Sequence, residues 1–384
     1  MKQTEEYCLK EIEGVFYLLP YGQLISDHYR GVQLNETGVF LWNILEKVHS
    51  RSELLECFIK YYQPEEDEIP AMEADLDTFL RQMHFYGIID MENSGNILEK
   101  PAYQYLQIGG ISIKLIGPKE AFSRNFLPFA VDACKNPDLT IEVFIGSPDC
   151  HKNGEILIRN KELIVCEGKD EYLVLFLKFK QLTEMYFHKS GTYAYVYCQP
   201  PVNKELAEEL FHAIRFEYLY LAQKRGMFAL HSASILYQNK AWLFSGHSGM
   251  GKSTHTNLWN QILGTKILNG DLNLMELTLN GAVIHGTPWC GTSEIADTHT
   301  YPVGGIILLK QAEQDICMEL SKDEKALLVM QRLISPAWTK EMLGKNLSFT
   351  SRLAKIIPVF RLECTKKSSA VYTVKEWIDK LLSF

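Results

Sequence analysis

The sequence has no run approaching the roughly 18 uninterrupted apolar residues of a membrane span, and its 9 cysteines include no Cys-x-x-Cys pair. The first absence excludes a helical membrane anchor, so no membrane partner is expected. The second, with an odd count, gives no reason to expect a disulfide framework or a zinc module. Reduced thiols are expected instead. The start, Met1-Lys2-Gln3-Thr4-Glu5-Glu6, lacks the basic cluster and apolar run of a secretory signal, which points to a cytoplasmic location. Basic residues are scarce at first: residues 1–97 hold 7 Lys/Arg against 18 Asp/Glu, whereas the rest holds 32 against 29. So acidic a segment excludes duplex nucleic acid as its partner, because phosphate backbones are gripped by Lys and Arg. It suits a neutral or basic partner, although a well-solvated surface explains the same imbalance.

What is present is a soluble, globular composition: 384 residues, 46% hydrophobic and 22% charged. Two or three units are expected at this length, and the change in charge puts a boundary near residue 98. In the first segment, Val15–Leu19 and Gly31–Leu34 read as short strands. Asn35 is a plausible N-cap for a helix through Phe40, Leu41, Ile44, Leu45 and Val48. Ser50 with Glu53 forms a capping-box pattern for a second helix to about Tyr62. A third repeats at Ile69, Met72, Leu76, Phe79, Leu80 and Met83, with Gly87 as its stop. The order predicts a small winged-helix-like unit over residues 1–98.

Residues 101–200 show short apolar or alternating runs at 111–116, 139–144, 155–158, 163–166, 172–179 and 193–197, divided by turn residues such as Gly109-Gly110 and Asn153-Gly154. They predict antiparallel sheet. Asn203 then opens a long helix stopped by Gly226. The C-terminal part predicts helices over 322–333, 340–353 and 372–382 with a strand over 357–362, and no chemistry stands out there.

The strongest signal lies between. Ala241–Ser245 is a short apolar strand, followed at once by Gly246-His247-Ser248-Gly249-Met250-Gly251-Lys252-Ser253 and by a helix from Thr254. This is G-x-x-x-x-G-K-S, the phosphate-cradling loop. Its glycines let successive amides point into one concavity, and the positive end of the next helix faces the same anion. Lys252 offers a mobile charge to the β- and γ-phosphates, and Ser253 a hydroxyl to Mg²⁺. A second acidic group is expected at a neighbouring strand end. Asp271 closes the strand-like Thr265–Gly270 segment, with no other acidic residue between it and Ser253; an Asx turn is its alternative role. ATP and Mg²⁺ are therefore the expected cofactors, with residues 246–254 binding the nucleotide.

Two resemblances follow. The block "LNET" (34–37), the capped helices and "FYGIID" (85–90) make residues 10–92 look like the PqqD-like peptide-recognition domain. That resemblance implies a precursor peptide, held by its leader as an added strand at a sheet edge and against the third helix. Val15, Tyr17 and Leu19 on the strand, and Leu76, Phe79 and Met83 on the 75–86 helix, are the candidates; a core role is the alternative for each. "LHSASI" (230–235), "FSGHSGMGKST" (244–254), "ILNGDL" (267–272) and "GTPWCG" (286–291) resemble the HPr kinase family. Residues 99–384 then form an HPr kinase-like, phosphoenolpyruvate-carboxykinase-like domain with a mixed sheet: a sheet-rich part and helix over 99–226, the P-loop core over 227–310, and the C-terminal elements over 311–384.

The second resemblance implies that His231 lies near the transferred phosphate, with a satisfied strand histidine as the equal alternative, and that Asp271 binds metal, accepts a proton, or both. Catalysis thus falls to Asp271, His231 and Lys252, and metal binding to Ser253 and Asp271. The family commonly has two adjacent acidic residues where this chain has Gly270-Asp271. Glu276, His285, Glu294 and Asp297 are the other nearby candidates for a base. Thr287 and Trp289 frame an expected acceptor loop, with a core aromatic as the alternative for Trp289. The combined expectation is an α/β protein that phosphorylates Ser or Thr of a leader-bound peptide. A non-catalytic nucleotide-binding adaptor and a small-molecule kinase are the alternatives. Relatives of the kinase kind tend to form rings, so a homo-oligomer is one expected state.

Overall fold

A computed structural model describes residues 2–4, 6–26, 31–48, 50–85, 88–90, 101–146, 154–293 and 295–383. Gly87, the expected helix stop, lies outside them, as do Tyr86 and Glu294. The chain is a mixed α/β protein that divides into two compact units: Met1–Lys100 with Val143–Tyr186 and Tyr195–Val202, and Pro101–Glu142 with Phe187–Ala194 and Asn203–Phe384.

In the first unit, strands β1 (Tyr7–Ile12), β2 (Val15–Pro20) and β3 (Val32–Leu34) form an antiparallel sheet in that order. The β1–β2 hairpin turns at Glu13 and Gly14, both at positive φ. Helices α1 (Glu36–Leu45), α2 (Arg51–Tyr62) and α3 (Ile69–Phe85) follow. Asn35 caps α1 by accepting from the Gly38 amide at 2.8 Å, and Ser50 caps α2 by accepting from the Glu53 amide at 3.2 Å. Leu18, Leu41, Leu45, Leu54, Leu76, Leu80 and Met83 fill the core between sheet and helices. A second core in this unit gathers Ile164, Cys166, Leu173, Leu175 and Tyr186 from neighbouring strands.

In the second unit, Ala102–Ile108 pairs antiparallel with Ile111–Gly117, which pairs in parallel with residues 139–142 of the strand Leu139–Ile145. The expected antiparallel sheet is thus corrected at that pair. A 21-residue span separates the two parallel strands, enough for a crossover that a hairpin cannot make. The long helix α4 (Lys204–Lys224) leads to β4 (Met227–Tyr237), β5 (Lys240–Ser245), α5 (Lys252–Leu263), β6 (Lys266–Asn269), β7 (Leu272–Thr278), β8 (Gly281–His285) and β9 (Thr300–Gln311). Then come β10 (Ile316–Glu319), α6 (Lys322–Met330), α7 (Lys340–Ile356), β11 (Val359–Cys364) and α8 (Ser369–Leu382). The ladder runs β5-β4-β7-β8-β9-β11-β10, with β9 also parallel to β5 and β6 on the far part of β4.

The alternation of side chains explains why β5 and β9 read as unbroken apolar runs. Ala241, Leu243, Ile306 and Leu308 face one core with Phe349 and Leu353 of α7. Trp242, Phe244, Ile307 and Leu309 face the other, with Trp259 of α5 and Val371, Val374 and Ile378 of α8. Both faces are covered, so neither can be polar. At Gly304 a Cβ would stand 2.7 Å from Trp242, so that position must stay bare for the indole to fit.

Candidate functional site

The site lies where β5 ends, beside the middle of β4 and the turn between β6 and β7. β5 ends at Ser245, whose hydroxyl donates to the His231 carbonyl at 2.7 Å, locking the two strands at that level. The chain then turns through 246–251, with Gly249 at φ 79° and Gly251 at φ 99°, conformations that an L side chain rarely adopts. Gly251 caps α5, whose first turn carries no acidic residue and so leaves the positive helix end to an external anion. Lys252 Nζ donates to the Gly246 carbonyl at 3.3 Å, spanning its own loop. Burial lowers the Lys252 pKa; Arg332 pushes it the same way and Asp271 opposes both. His247, Ser248, Gly249 and Ser253 are exposed, and Met250, Gly251, Lys252 and Thr254 are half-buried.

Asp271 stands between β6 and β7. Asn269, not Asp271, makes the Asx turn: its Oδ1 accepts from the amides of Asp271 and Leu272 at 2.8 and 2.9 Å. The Asp271 main chain is further held by the Ser232 amide, which donates to its carbonyl at 3.0 Å. The carboxylate is left to the site, where Oδ1 lies 3.1 Å from His231 Nε2. The hydrogen bond from His231 lowers the Asp271 pKa, burial works against it, and the charges of Arg215 and Lys252 add to the lowering. Asp271 is therefore an anion ringed by cationic groups. The sequence candidates His231, Asp271 and Lys252 are brought together, and a hydroxyl from Ser253 with one carboxylate is a donor set suited to Mg²⁺, which keeps phosphate oxygens and waters as its other ligands.

The other candidate bases pair elsewhere. His285 Nε2 lies 2.9 Å from Glu276 Oε2, and Asp297 is tied to Lys266 and to His299 at 2.8 Å. Gly270 has no space for a second acidic side chain, because a Cβ there would stand 2.9 Å from the Cys290 carbonyl oxygen and closer still to Ser293.

Three sets of candidates need correction. Thr287 and Trp289 do not face an acceptor: both are buried, at 0% and 2% exposure. Thr287 Oγ1 donates to the Leu272 carbonyl at 3.0 Å, and Trp289 packs on Phe126, Phe211 and Tyr218 while its Nε1 donates to the Phe211 carbonyl. An indole of this size gains more from burial than from water, given a partner for its N–H. Val15, Tyr17 and Leu19 are half-buried on β2, the central strand of its sheet, whose Phe16–Leu18 stretch is paired on both sides; among the described residues the edge strands are β1 and β3. Leu76, Phe79 and Met83 are core, not an outer helix face.

The sequence reading missed four residues of the site. Asn269 and Asn273 brace it: Asn273 Nδ2 donates to the Ser232 carbonyl at 2.6 Å and its Oδ1 accepts from Ser234. The "ILNGDL" block contains Asn269, and an Asn two residues before a candidate acid is itself a turn signal. Arg332, whose Nη1 donates to His247 Nδ1 at 3.0 Å, and Arg215 come from distant segments that no local pattern connects to the loop.

Among the described residues no helix is long and apolar enough to cross a membrane. No curated protein matches the chain. Residues 24–89 match the family model of coenzyme PQQ synthesis protein D (PqqD), which supports a peptide-recognition element at the N-terminus.

Proposed function

We propose that the chain is an ATP-dependent kinase that phosphorylates a Ser or Thr of a ribosomally made precursor peptide, whose leader is captured by the N-terminal element. The observation that carries this reading is the Asp271–His231 pair, 3.1 Å apart, beside a glycine loop that opens α5 with Lys252. Residues 246–254 cradle the triphosphate and Lys252 neutralises its charge. Bound Mg²⁺, held by Ser253 and Asp271, supplies further charge neutralisation. The acceptor oxygen forms a bond to the γ-phosphorus as the bond to the ADP oxygen breaks. The hydroxyl proton passes to the Asp271 carboxylate, which His231 orients. Phosphoryl transfer depends mainly on positioning and electrostatics, so one carboxylate suffices for both tasks.

Leader capture makes the acceptor local, at an effective concentration on the order of millimolar, so the site need bind it only weakly. The peptide adds as a strand to an edge, β1 or β3. Mass spectrometry of candidate peptides after incubation with ATP and Mg²⁺ tests the reading: a gain of phosphate that Lys252→Ala abolishes is expected. The crowding at Gly270 favours a second reading, a nucleotide-binding adaptor that does no chemistry. Nucleotide binding without precursor-stimulated ADP release would select it.

A further inference from the structure

We propose that Arg215 anchors an oxyanion of the acceptor, a carboxylate or a phosphate beside the accepting hydroxyl, in the neighbourhood of Asp271. This rests on the kinase reading above. Arg215 lies on α4 one turn beyond Phe211, whose carbonyl accepts from Trp289 Nε1 at 3.0 Å. Trp289 belongs to the 286–291 loop, and that loop abuts the acid: a Cβ on Gly291 would stand 2.9 Å from Asp271 Cβ. The turn of α4 that carries Arg215 is thus pinned to the loop that supports Asp271.

The guanidinium is half-buried, yet no hydrogen bond or ion pair among the described residues engages it. Asp271 feels its charge but spends its contact on His231. Arg215 is coupled to Asp271 and to His212, which also feels Glu208. Five donors without an acceptor in a partly dry site are costly, and their planar fork matches a carboxylate or phosphate through two parallel bonds. An acceptor hydroxyl next to such an anion would be steered to the carboxylate that takes its proton.

The test uses the full chain saturated with MgADP, titrated with ¹³C-acetate and with inorganic phosphate while their NMR line widths are followed. Wild type should bind at least one probe saturably; Arg215→Lys should weaken it about 3–10-fold and Arg215→Gln more than about 10-fold, as expected when two charge-assisted bonds are lost. Binding of acetate assigns a carboxylate, and binding of phosphate alone assigns an already phosphorylated neighbour. If neither probe binds wild type, or Arg215→Gln binds as wild type does, the anchor is overturned. A chain that ignores ADP would sink the kinase reading separately. The same titration on Lys252→Ala, with and without Arg215→Gln, then decides the anchor: loss of the anion in the double variant supports it, and equal uptake overturns it.

Discussion

Replacing Gly270 by Ala adds one methyl group that has nowhere to go. An ideal Cβ would press on Ser293 Oγ, at 2.6 Å from Ser293 Cβ and 2.9 Å from the Cys290 carbonyl oxygen. Overpacking of this kind costs about 1–3 kcal/mol when neighbours can shift. Here the nearest neighbour is tethered, since Ser293 Oγ donates to the Cys290 carbonyl at 2.7 Å and accepts from the Ile295 amide at 3.3 Å. Moving it sacrifices up to two hydrogen bonds worth about 0.5–1.5 kcal/mol each, so about 2–4 kcal/mol is expected for Gly270→Ala. Ser293→Gly removes two of the three close atoms, and in that background the same substitution meets only the Cys290 carbonyl. The double variant should then show a coupling energy of about 1–2 kcal/mol. Urea unfolding followed by tryptophan fluorescence measures all four chains, with buried Trp289 reporting on the adjacent 286–291 loop. A Gly270→Ala chain within about 0.5 kcal/mol of wild type, or strictly additive costs, would refute the steric reasoning. The same crowding predicts that Gly270→Asp unfolds the loop before it can add a second base.

Trp289→Ala should destabilise by about 3–5 kcal/mol in the same assay, and Trp289→Phe by less, because the ring space is kept while the bond to Phe211 is lost. Asp138 gives a pH signature. Burial alone would raise its pKa, but Arg225 at 2.6 Å and the Ser112 amide and hydroxyl hold it down at about 2. A depressed carboxyl contributes stability above its unfolded pKa that is lost as pH falls from about 4 through 2, about 1–2 kcal/mol after allowance for partial exposure. Asp138→Asn should abolish that limb of the stability–pH curve. Removing the anion at Asp271 with Asp271→Asn takes away the influence that raises the Lys252 pKa, so pH-dependent amine labelling of Lys252 should shift to lower pH; an upward shift would contradict the electrostatics described.

The strand–glycine loop–helix arrangement over 241–263 was legible because its signal sits in eight consecutive residues, flanked by an apolar strand and a helix whose order is local. Helix starts were legible for the same reason: Asn35, Ser50 and Asn203 each cap within three residues of themselves. The β1 strand escaped because its hairpin turns on Glu13-Gly14 rather than on Asn-Gly or Asp-Gly, and Lys10 and Glu11 blunt its apolar pattern. Missing that strand made β2 look like an edge, and the peptide candidates inherited the error. Leu182–His188 was missed because six of its seven residues are buried, including Thr183 and Glu184, and a strand covered on both faces shows no period of two. Arg215 and Arg332 lie 37 residues before and 80 after Lys252, and only the tertiary fold brings Arg332 to His247 of the loop and Arg215 within the field of Asp271. Such a meeting is a property of topology, and a single sequence carries no trace of it.

The polar groups around Asp271 argue that the site is preorganised rather than assembled on binding. Four buried side chains, Asn269, Asn273, Ser234 and Thr287, spend their donors and acceptors on the backbone at 232, 271, 272 and 287 or on one another. Buried amides and hydroxyls left unpaired would cost about 1–3 kcal/mol each, so the network holds one arrangement of the strand ends and penalises others. Because Asn269 takes the turn-capping task, Asp271 keeps its carboxylate for His231 and for whatever enters from the loop side. A carboxylate fixed in place before its partner arrives loses little entropy in binding, which would suit the transfer reaction proposed above. Asn269→Ala should therefore damage the site in a way that Asp271→Asn does not: it frees the amides of 271 and 272 and lets the carboxylate wander, although every charge remains.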